Sequence, residues 1–504
     1  MTRKISILLW ICILSLGSFS RAEADAQRIY RIMPVGDSIT EGRSDFSCYR
    51  YPLWEKLFTA GYLVEYVGSR TNESRIGPLP HEGYGGMTPE FIATNAVPSF
   101  QKYPADIVLL HAGGNHFSVE NPVDGIVAAN ESMIRGFRKV NTNVIVLLAQ
   151  VIPSGKLPKY SYFPQLNEKL SKLAARLNTP SQPVILVNQA EGFDWRTDTI
   201  NDHVHPNAMG AEKMACRWFA ALTNLLATPE QSFHPKIVSY KKIGGVELTL
   251  HIFLPSACSN AAPRPAIIFF FGGACQAGTP LQFYPECAHF AGKGFVAISA
   301  DYRTGLVNHT TPLESVADGK SAIRWLRQHA TEWGIDPARI VAAGASAGGQ
   351  VAAAAGIVPG LDEPGEDFKS SSQPDALILW YPIGDKASDG YGYDRVKERF
   401  TEISPLHNID LRTPPTLVFL DAQDKLIPVK TGEEFKTSIE KAGGRCELKL
   451  FAGAGHPIYE YRHGNSPYRC EILADADAFL AALGFFNMPG APKNGINIYS
   501  TGTP

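Results

Sequence analysis

The sequence has little net charge, few cysteines and only one long apolar run, and each shortage excludes something. Its 47 Lys and Arg against 49 Asp and Glu leave a formal charge of −2. So even a balance offers no basic field for nucleic acid or anionic lipid, and nucleic acid is not expected as a partner. The 8 cysteines lack the spacing of a disulfide framework, although Cys258, Cys275 and Cys287 lie near each other in sequence, as do Cys446 and Cys470. Neither H-E-x-x-H nor H-x-x-x-H occurs. The commonest metallohydrolase pattern is therefore missing, and neither metal nor cofactor is expected. The one apolar run, Ile5 to Leu16, is too short to span a bilayer comfortably. With Arg3 and Lys4 before it and Ala22-Glu-Ala24 after it, residues 1–24 read as a cleaved secretory signal. The mature chain is then secreted or periplasmic, with no membrane attachment. Loss of Cys12 with that leader leaves an odd number of cysteines, so at least one thiol stays unpaired.

What is present is apolar sequence arranged twice over. Apolar residues make up 44% of 504 residues, enough for two packed cores. In the first half the runs RIYRIMPV, YLVEYVG, DIVLLHA, NVIVLLAQV and PVILVN alternate with helical stretches such as PQLNEKLSKLAARLN. The second half opens with VELTLHIFLP, an alternating pattern suited to an antiparallel strand. It then repeats the alternation through AIIFFF, FVAISA, IVAAG, ALILWYP, TLVFL and CELKLF. Strand–helix alternation predicts mostly parallel sheets covered by helices, an α/β fold in each half. The expected division is a first domain at 25–227, a linker at 228–236, a second domain at 237–489 and a loose tail at 490–504.

Two serines stand in reactive-looking contexts. In the second half, GASAGG centres Ser346 between a strand and a small-residue helix, the setting of a G-x-S-x-G nucleophile elbow. A serine hydroxyl needs a base and an orienting acid. FLDAQDKLIP supplies Asp424 after one strand, with Asp421 as the rival acid, and FAGAGHPIY supplies His456 after the next. The order Ser, Asp, His is that of alpha/beta-hydrolases. FFFGGACQAG is similar to the HGGG loop of lipases and esterases, with Phe271 in the His position. That likeness implies an oxyanion hole made by the N–H of Ala347 with those of Gly273 or Ala274. From PAIIFFFGG to AGHPIY the half resembles the acetyl esterase/lipase branch of the alpha/beta-hydrolase family, which implies ester hydrolysis through an acyl-serine.

In the first half, MPVGDSITEG places Ser38 directly after the first strand, and NDHVHPNAMG brings Asp202 and His205 together three residues apart on one loop. The arrangement resembles the SGNH (GDSL) hydrolases. Two further blocks of that family are visible, HEGYGGMT with Gly86 and LLHAGGNHF with Asn115. The resemblance implies that the N–H of Ser38, the N–H of Gly86 and the Asn115 amide form the oxyanion hole. His116 follows Asn115 where members often carry Asp. RIMPVGDSITEG, YRYPLWEKL, VEYVGSR and HEGYGGMT are most similar to carbohydrate esterase family 3 acetylxylan esterases. That likeness implies O-acetyl groups on an acetylated polysaccharide or oligosaccharide such as xylan as substrate. The expectation is a two-site serine carbohydrate esterase. Two alternatives stay open: one domain is an inactive carbohydrate-binding module, or the chain is a lipase or phospholipase.

Overall fold

The computed structural model describes residues 29–486 apart from 44–47, 73, 76–77, 117–118, 230–232, 256–262, 384–391, 454 and 457–467. The expected signal at 1–24 and tail at 490–504 lie outside the described residues, as do Cys12 and Cys258. The chain forms two compact units, Met1–Phe233 and His234–Pro504. Among the described residues Cys48, Cys216, Cys275, Cys287, Cys446 and Cys470 are all free thiols. No helix among them is long and apolar enough to cross a membrane.

The first unit is built on β1 (Tyr30–Gly36), β2 (Val64–Tyr66), β3 (Arg70–Asn72), β4 (Leu79–Gly83), β5 (Ile107–His111), β6 (Ile145–Ala149) and β7 (Val184–Val187). The order is β3-β4-β1-β5-β6-β7, with β2 beside the first half of β1. Every pairing is parallel except β3 with β4. The runs are apolar at successive positions, not alternate ones, because helices cover both faces. All of β5 is buried accordingly. The helices Val123–Val140 and Phe163–Leu177 turn Ile126, Met133, Phe137, Leu166, Leu170 and Leu173 into this core. Thr88 and Asn207 cap the helices Pro89–Lys102 and Ala208–Thr223, giving each a fixed start. The segment expected as a linker contributes Phe233 to this unit. Its N–H donates to the Thr59 carbonyl and its ring stacks on Phe58 with centroids 5.8 Å apart.

The second unit holds β8 (Lys236–Ile243), β9 (Val246–Phe253), β10 (Arg264–Phe270), β11 (Val296–Ala300), β12 (Ile335–Ala345), β13 (Ala376–Trp380), β14 (Thr416–Asp421) and β15 (Cys446–Phe451). Its sheet order is β15-β14-β13-β12-β10-β11-β9-β8. β8 and β9 enter antiparallel and the remaining pairings are parallel, as the alternating VELTLHIF stretch predicts. The helix Ala347–Ile357 is buried along its whole length, and all of its residues except Gln350 are small or apolar. Beside it a buried ionic cluster ties sequence-distant segments together. Asp318 accepts from the Arg303 guanidinium at 2.8 Å and from Lys241 Nζ at 2.7 Å, and Glu363 meets both cations. Each unit is therefore an α/β domain with its own sheet and core.

Two candidate active sites

In the first unit the chain leaves β1 into a single helical turn, Ser38–Glu41. Asp37 is buried and fixes the start of that turn. One of its carboxylate oxygens accepts the Ile39 N–H and the other accepts the Gly114 N–H, both at 3.1 Å. One carboxylate thus joins the serine to the Asn115 loop. Ser38 Oγ lies 2.8 Å from His205 Nε2, and His205 Nδ1 lies 2.5 Å from Asp202 Oδ2. The other Asp202 oxygen accepts the N–H groups of Val204 and His205 at 2.9 and 3.0 Å. Burial alone would raise the Asp202 carboxyl. The His205 and Val204 N–H groups and the His205 ring outweigh it and hold Asp202 below the ordinary carboxylate range.

The loop carrying this pair is closed on itself. Ile200 N–H donates to the His205 carbonyl at 2.9 Å, and the His203 carbonyl accepts from Ser154 Oγ and Gly155 N–H. Ser38, His205, Gly86 and Asn115 line one cavity of about 300 Å³ together with Tyr160, Phe163 and Val204. The N–H groups of Ser38 and Gly86 carry no hydrogen bond to any described residue. One Asn115 amide proton goes to the Met87 carbonyl at 3.1 Å, which leaves the second for the cavity. His116, which replaces the usual Asp, pairs with Glu90 at 2.5 Å. Among the described residues no three His, Cys, Asp or Glu side chains converge as a metal site would.

The second unit reaches a similar relay by another backbone. Ser346 sits between β12 and the buried helix at φ 52, ψ −116, a left-handed conformation that L residues adopt only under constraint. The constraint is close packing. A Cβ on Gly348 would lie 2.0 Å from the Phe270 carbonyl oxygen and one on Gly344 would lie 2.4 Å from the Gly348 oxygen. Ser346 Oγ is 3.1 Å from His456 Nε2, and His456 Nδ1 is 2.8 Å from Asp424 Oδ2. The other Asp424 oxygen accepts the Leu426 and Ile427 N–H groups at 2.7 and 2.9 Å. Burial would raise Asp424, but the His456 hydrogen bond and the Ile427 and Leu426 N–H groups outweigh it and hold the carboxylate low. Asp421, the rival acid, ends β14 and accepts the Gln423 N–H at 2.7 Å. The Tyr381 ring packs edge-on to His456 at 4.7 Å.

The loop after β10 lies against the serine, since a Cβ on Gly272 would sit 3.5 Å from Ser346 Cβ. Gly273, Ala274 and Cys275 all have positive φ, at 130, 60 and 56°. The N–H groups of Gly273, Ala274 and Ala347 carry no hydrogen bond to any described residue. Phe271, in the His position of the loop, is buried and stacked on Tyr302 at 4.1 Å, so it supports the loop from beneath.

Sequence reading missed the groups that brace these loops. Glu41 accepts the Gly85 N–H at 2.8 Å in the first unit. Buried Arg50 donates to the carbonyls of Thr40, Leu79 and Glu41. In the second unit Gln282 Oε1 accepts the Gly272 N–H at 2.6 Å, and Arg395 donates to the Ala274 carbonyl. The one signal available was that Glu41 and Arg50 lie inside the quoted stretches DSITEG and YRYPLWEKL.

Two α/β domains, each aligning Ser, His and Asp beside N–H donors that bond to no described residue, have the architecture of serine hydrolases. Comparison with known proteins agrees. The model of the GDSL-like lipase/acylhydrolase family matches residues 35–213 and the BD-FAE family model matches residues 250–439. Esterase LipC of Mycobacterium tuberculosis is 29% identical over 216 residues, 38% of this chain and 53% of LipC. Endo-1,4-beta-xylanase B of Butyrivibrio fibrisolvens is 25% identical over 166 residues, 30% of this chain and 26% of that protein. The solved structure of Thermogutta terrifontis esterase 2 phosphoramylated by tabun is 42% identical. It covers 51% of this chain and 97% of its own, with a TM-score of 0.49. The chain spans about half or less of these curated relatives. Residues 35–213 thus carry a GDSL-like lipase/acylhydrolase domain and residues 250–439 a BD-FAE alpha/beta-hydrolase domain.

Proposed function

We propose that the chain is a carboxylic ester hydrolase with two independent acyl-transfer sites, acting outside the cytoplasm on O-acetylated plant polysaccharide such as xylan. The observation that carries this reading is the pair of complete Ser–His–Asp relays, each facing N–H donors that bond to no described residue. In each, the imidazole takes the serine proton as Oγ attacks the acyl carbonyl. The aspartate holds the ring and stabilises the imidazolium. The donors receive the negative oxygen that forms. The protonated imidazole then gives its proton to the sugar oxygen as its bond to the acyl carbon breaks, leaving an acyl-serine, and water repeats the cycle to free the acid.

A cavity of about 300 Å³ at the first site is at the small end for ligand pockets, which favours a short acyl group there over a long lipid chain. Support for a carbohydrate carrier comes from the resemblance of the first domain to acetylxylan esterases and from the xylanase among the relatives. The second site removes acetyl groups at other positions or a different acyl group from the same polymer.

The test is the pair Ser38→Ala and Ser346→Ala, singly and together, assayed for acetate release from acetylated xylan and for turnover of aryl acetates. Each single variant should keep the other site's activity and the double variant should keep none. A single substitution that abolishes all turnover sinks the two-site reading. Preference for long-chain over acetyl esters sinks the carbohydrate reading.

A further inference from the structure

Of the three donors at the first site, Gly86 N–H is the least secured by ordinary secondary structure. It belongs to the middle peptide of a four-residue turn, Tyr84 to Met87, closed by the Met87 N–H on the Tyr84 carbonyl at 3.2 Å. Gly86 occupies the third position at φ 77. The middle peptide of a β-turn is the one that reverses between turn types, and its reversal would point a carbonyl where the N–H now points. Something must hold the frame of this turn.

Glu41 is placed to do so. Its Oε2 accepts the Gly85 N–H at 2.8 Å, and its Oε1 is met by Arg70 at 2.6 Å. Arg70 lies over the Tyr84 ring, 5.0 Å from its centroid, so the same cation steadies the residue that opens the turn. The fit around the carboxylate is tight. A Cβ on Gly85 would come within 2.2 Å of Glu41 Oε2, and one on Gly83 within 2.4 Å of the Glu41 nitrogen. Gly85 thus makes room for the carboxylate and Gly83 for the backbone that carries it.

Glu41 also lines the cavity, where an uncompensated carboxylate would repel the oxyanion. The Arg70 ion pair offsets that charge. The other end of the turn is held by the Asn115 amide on the Met87 carbonyl. The backbone of Glu41 is anchored by Arg50 on its carbonyl at 2.7 Å.

The geometry points to Glu41 as a positioning residue: a carboxylate clasp, neutralised by Arg70, that sets the turn presenting Gly86 N–H to the transition state. This rests on Ser38 being the nucleophile of the first domain.

The test uses the full chain carrying Ser346→Ala, so that para-nitrophenyl acetate turnover reports the first site alone. Glu41→Ala should lower kcat by about 10- to 100-fold with KM within about threefold, because the lost effect belongs to the transition state. Phosphonylation of Ser38 by a small fluorophosphonate should slow in parallel, as attack at phosphorus uses the same donors. Glu41→Gln keeps an oxygen for the Gly85 N–H and should restore kcat to within a few-fold of the parent. A purely structural role would lower the amount of active protein without this split and without rescue.

Should Glu41→Ala fail to fold, Arg70→Ala carries the test, with kcat reduced about three- to tenfold at constant KM. Unchanged kcat in both Glu41→Ala and Arg70→Ala, or an equal loss in Glu41→Gln and Glu41→Ala, overturns the clasp. Activity surviving Ser38→Ala in the same background overturns instead the reading it rests on.

Discussion

The two domains assemble the same three side chains by opposite means. In the first, acid and base stand three residues apart on a loop that hydrogen-bonds to itself, and the serine begins a helical turn without positive φ. In the second, acid and base come from separate loops 32 residues apart, and the serine is held at φ 52 by close backbone packing. Such a conformation costs about 1–3 kcal/mol, which the surrounding sheet and buried helix must offset. One domain concentrates order in a short loop and the other spreads it through the core. The oxyanion loops differ too. The first uses a side-chain amide and is braced by ionisable groups. The second offers backbone N–H groups alone and is braced by the Gln282 amide and the Arg395 guanidinium.

The largest expected effect treats the domains alike. His205→Ala or His456→Ala should remove about 10⁴- to 10⁶-fold of turnover at its own site and leave the other intact. Labelling with a serine-directed fluorophosphonate checks this, with fast incorporation falling from two per chain to one. Two fast labels in either variant would break the equivalence of the relays.

Next is a substitution open to only one domain. Asn115→Ala should cost about 100- to 1000-fold in kcat at the first site. Asn115→Asp, which retains size but offers no N–H when ionised, should do no better. Steady-state assay in the Ser346→Ala background measures both. Near-normal turnover would mean that the backbone donors suffice at the first site.

Acid should separate the domains further. His81 is held neutral, its protonation pushed down to about 2, first by burial and then by Arg50 and Arg70. Its Nδ1 accepts the Gly83 N–H at 2.9 Å, directly before the oxyanion turn. The unfolded chain takes up a proton near pH ~6.5 that the folded one refuses, so stability falls as pH drops below that value. One such group costs about 2 kcal/mol at pH ~5. Urea unfolding followed in the first domain should show this slope, and His81→Gln should flatten it. Asp202 and Asp424 are both held low, so each stabilises its domain above the ordinary carboxylate range. Each loses that contribution only as pH falls through the lowered value, and the two carboxylates do not explain a difference near pH ~5.

The smallest effect is expected from Arg395→Ala. It frees the Ala274 carbonyl but leaves Gln282 and the bonds from Gly305 and Leu306 to the same loop. A loss of about two- to fivefold in kcat at the second site, measured in the Ser38→Ala background, fits a brace among several. A loss as large as that for His456 would mean that the loop depends on this one cation.

Much of this was legible because it is encoded in adjacent residues. GASAGG between a strand and a small-residue helix carries its own geometry, and NDHVH carries acid and base in one turn. The sheets followed from unbroken apolar runs, and the antiparallel entry from the alternation in VELTLHIF. The bracing was not legible, because its partners are far apart in sequence. Glu41 meets Gly85 across 44 residues, and Arg395 meets Ala274 across 121. No local pattern distinguishes such a carboxylate or guanidinium from one on a solvated surface. Arg50 reads as an ordinary helix residue until its guanidinium is found buried among three carbonyls.

The seating of Phe233 on Phe58, itself stacked on Trp54 at 5.1 Å, decides where the chain can be cut. A fragment of the first domain ending at residue 227, where the sequence suggests a stop, would leave these rings facing water. It would forfeit about 1.5–3 kcal/mol for the missing side chain alone and carry a sticky aromatic patch. Extending such a fragment through Phe233 should yield a soluble domain on which the two halves can be assayed apart.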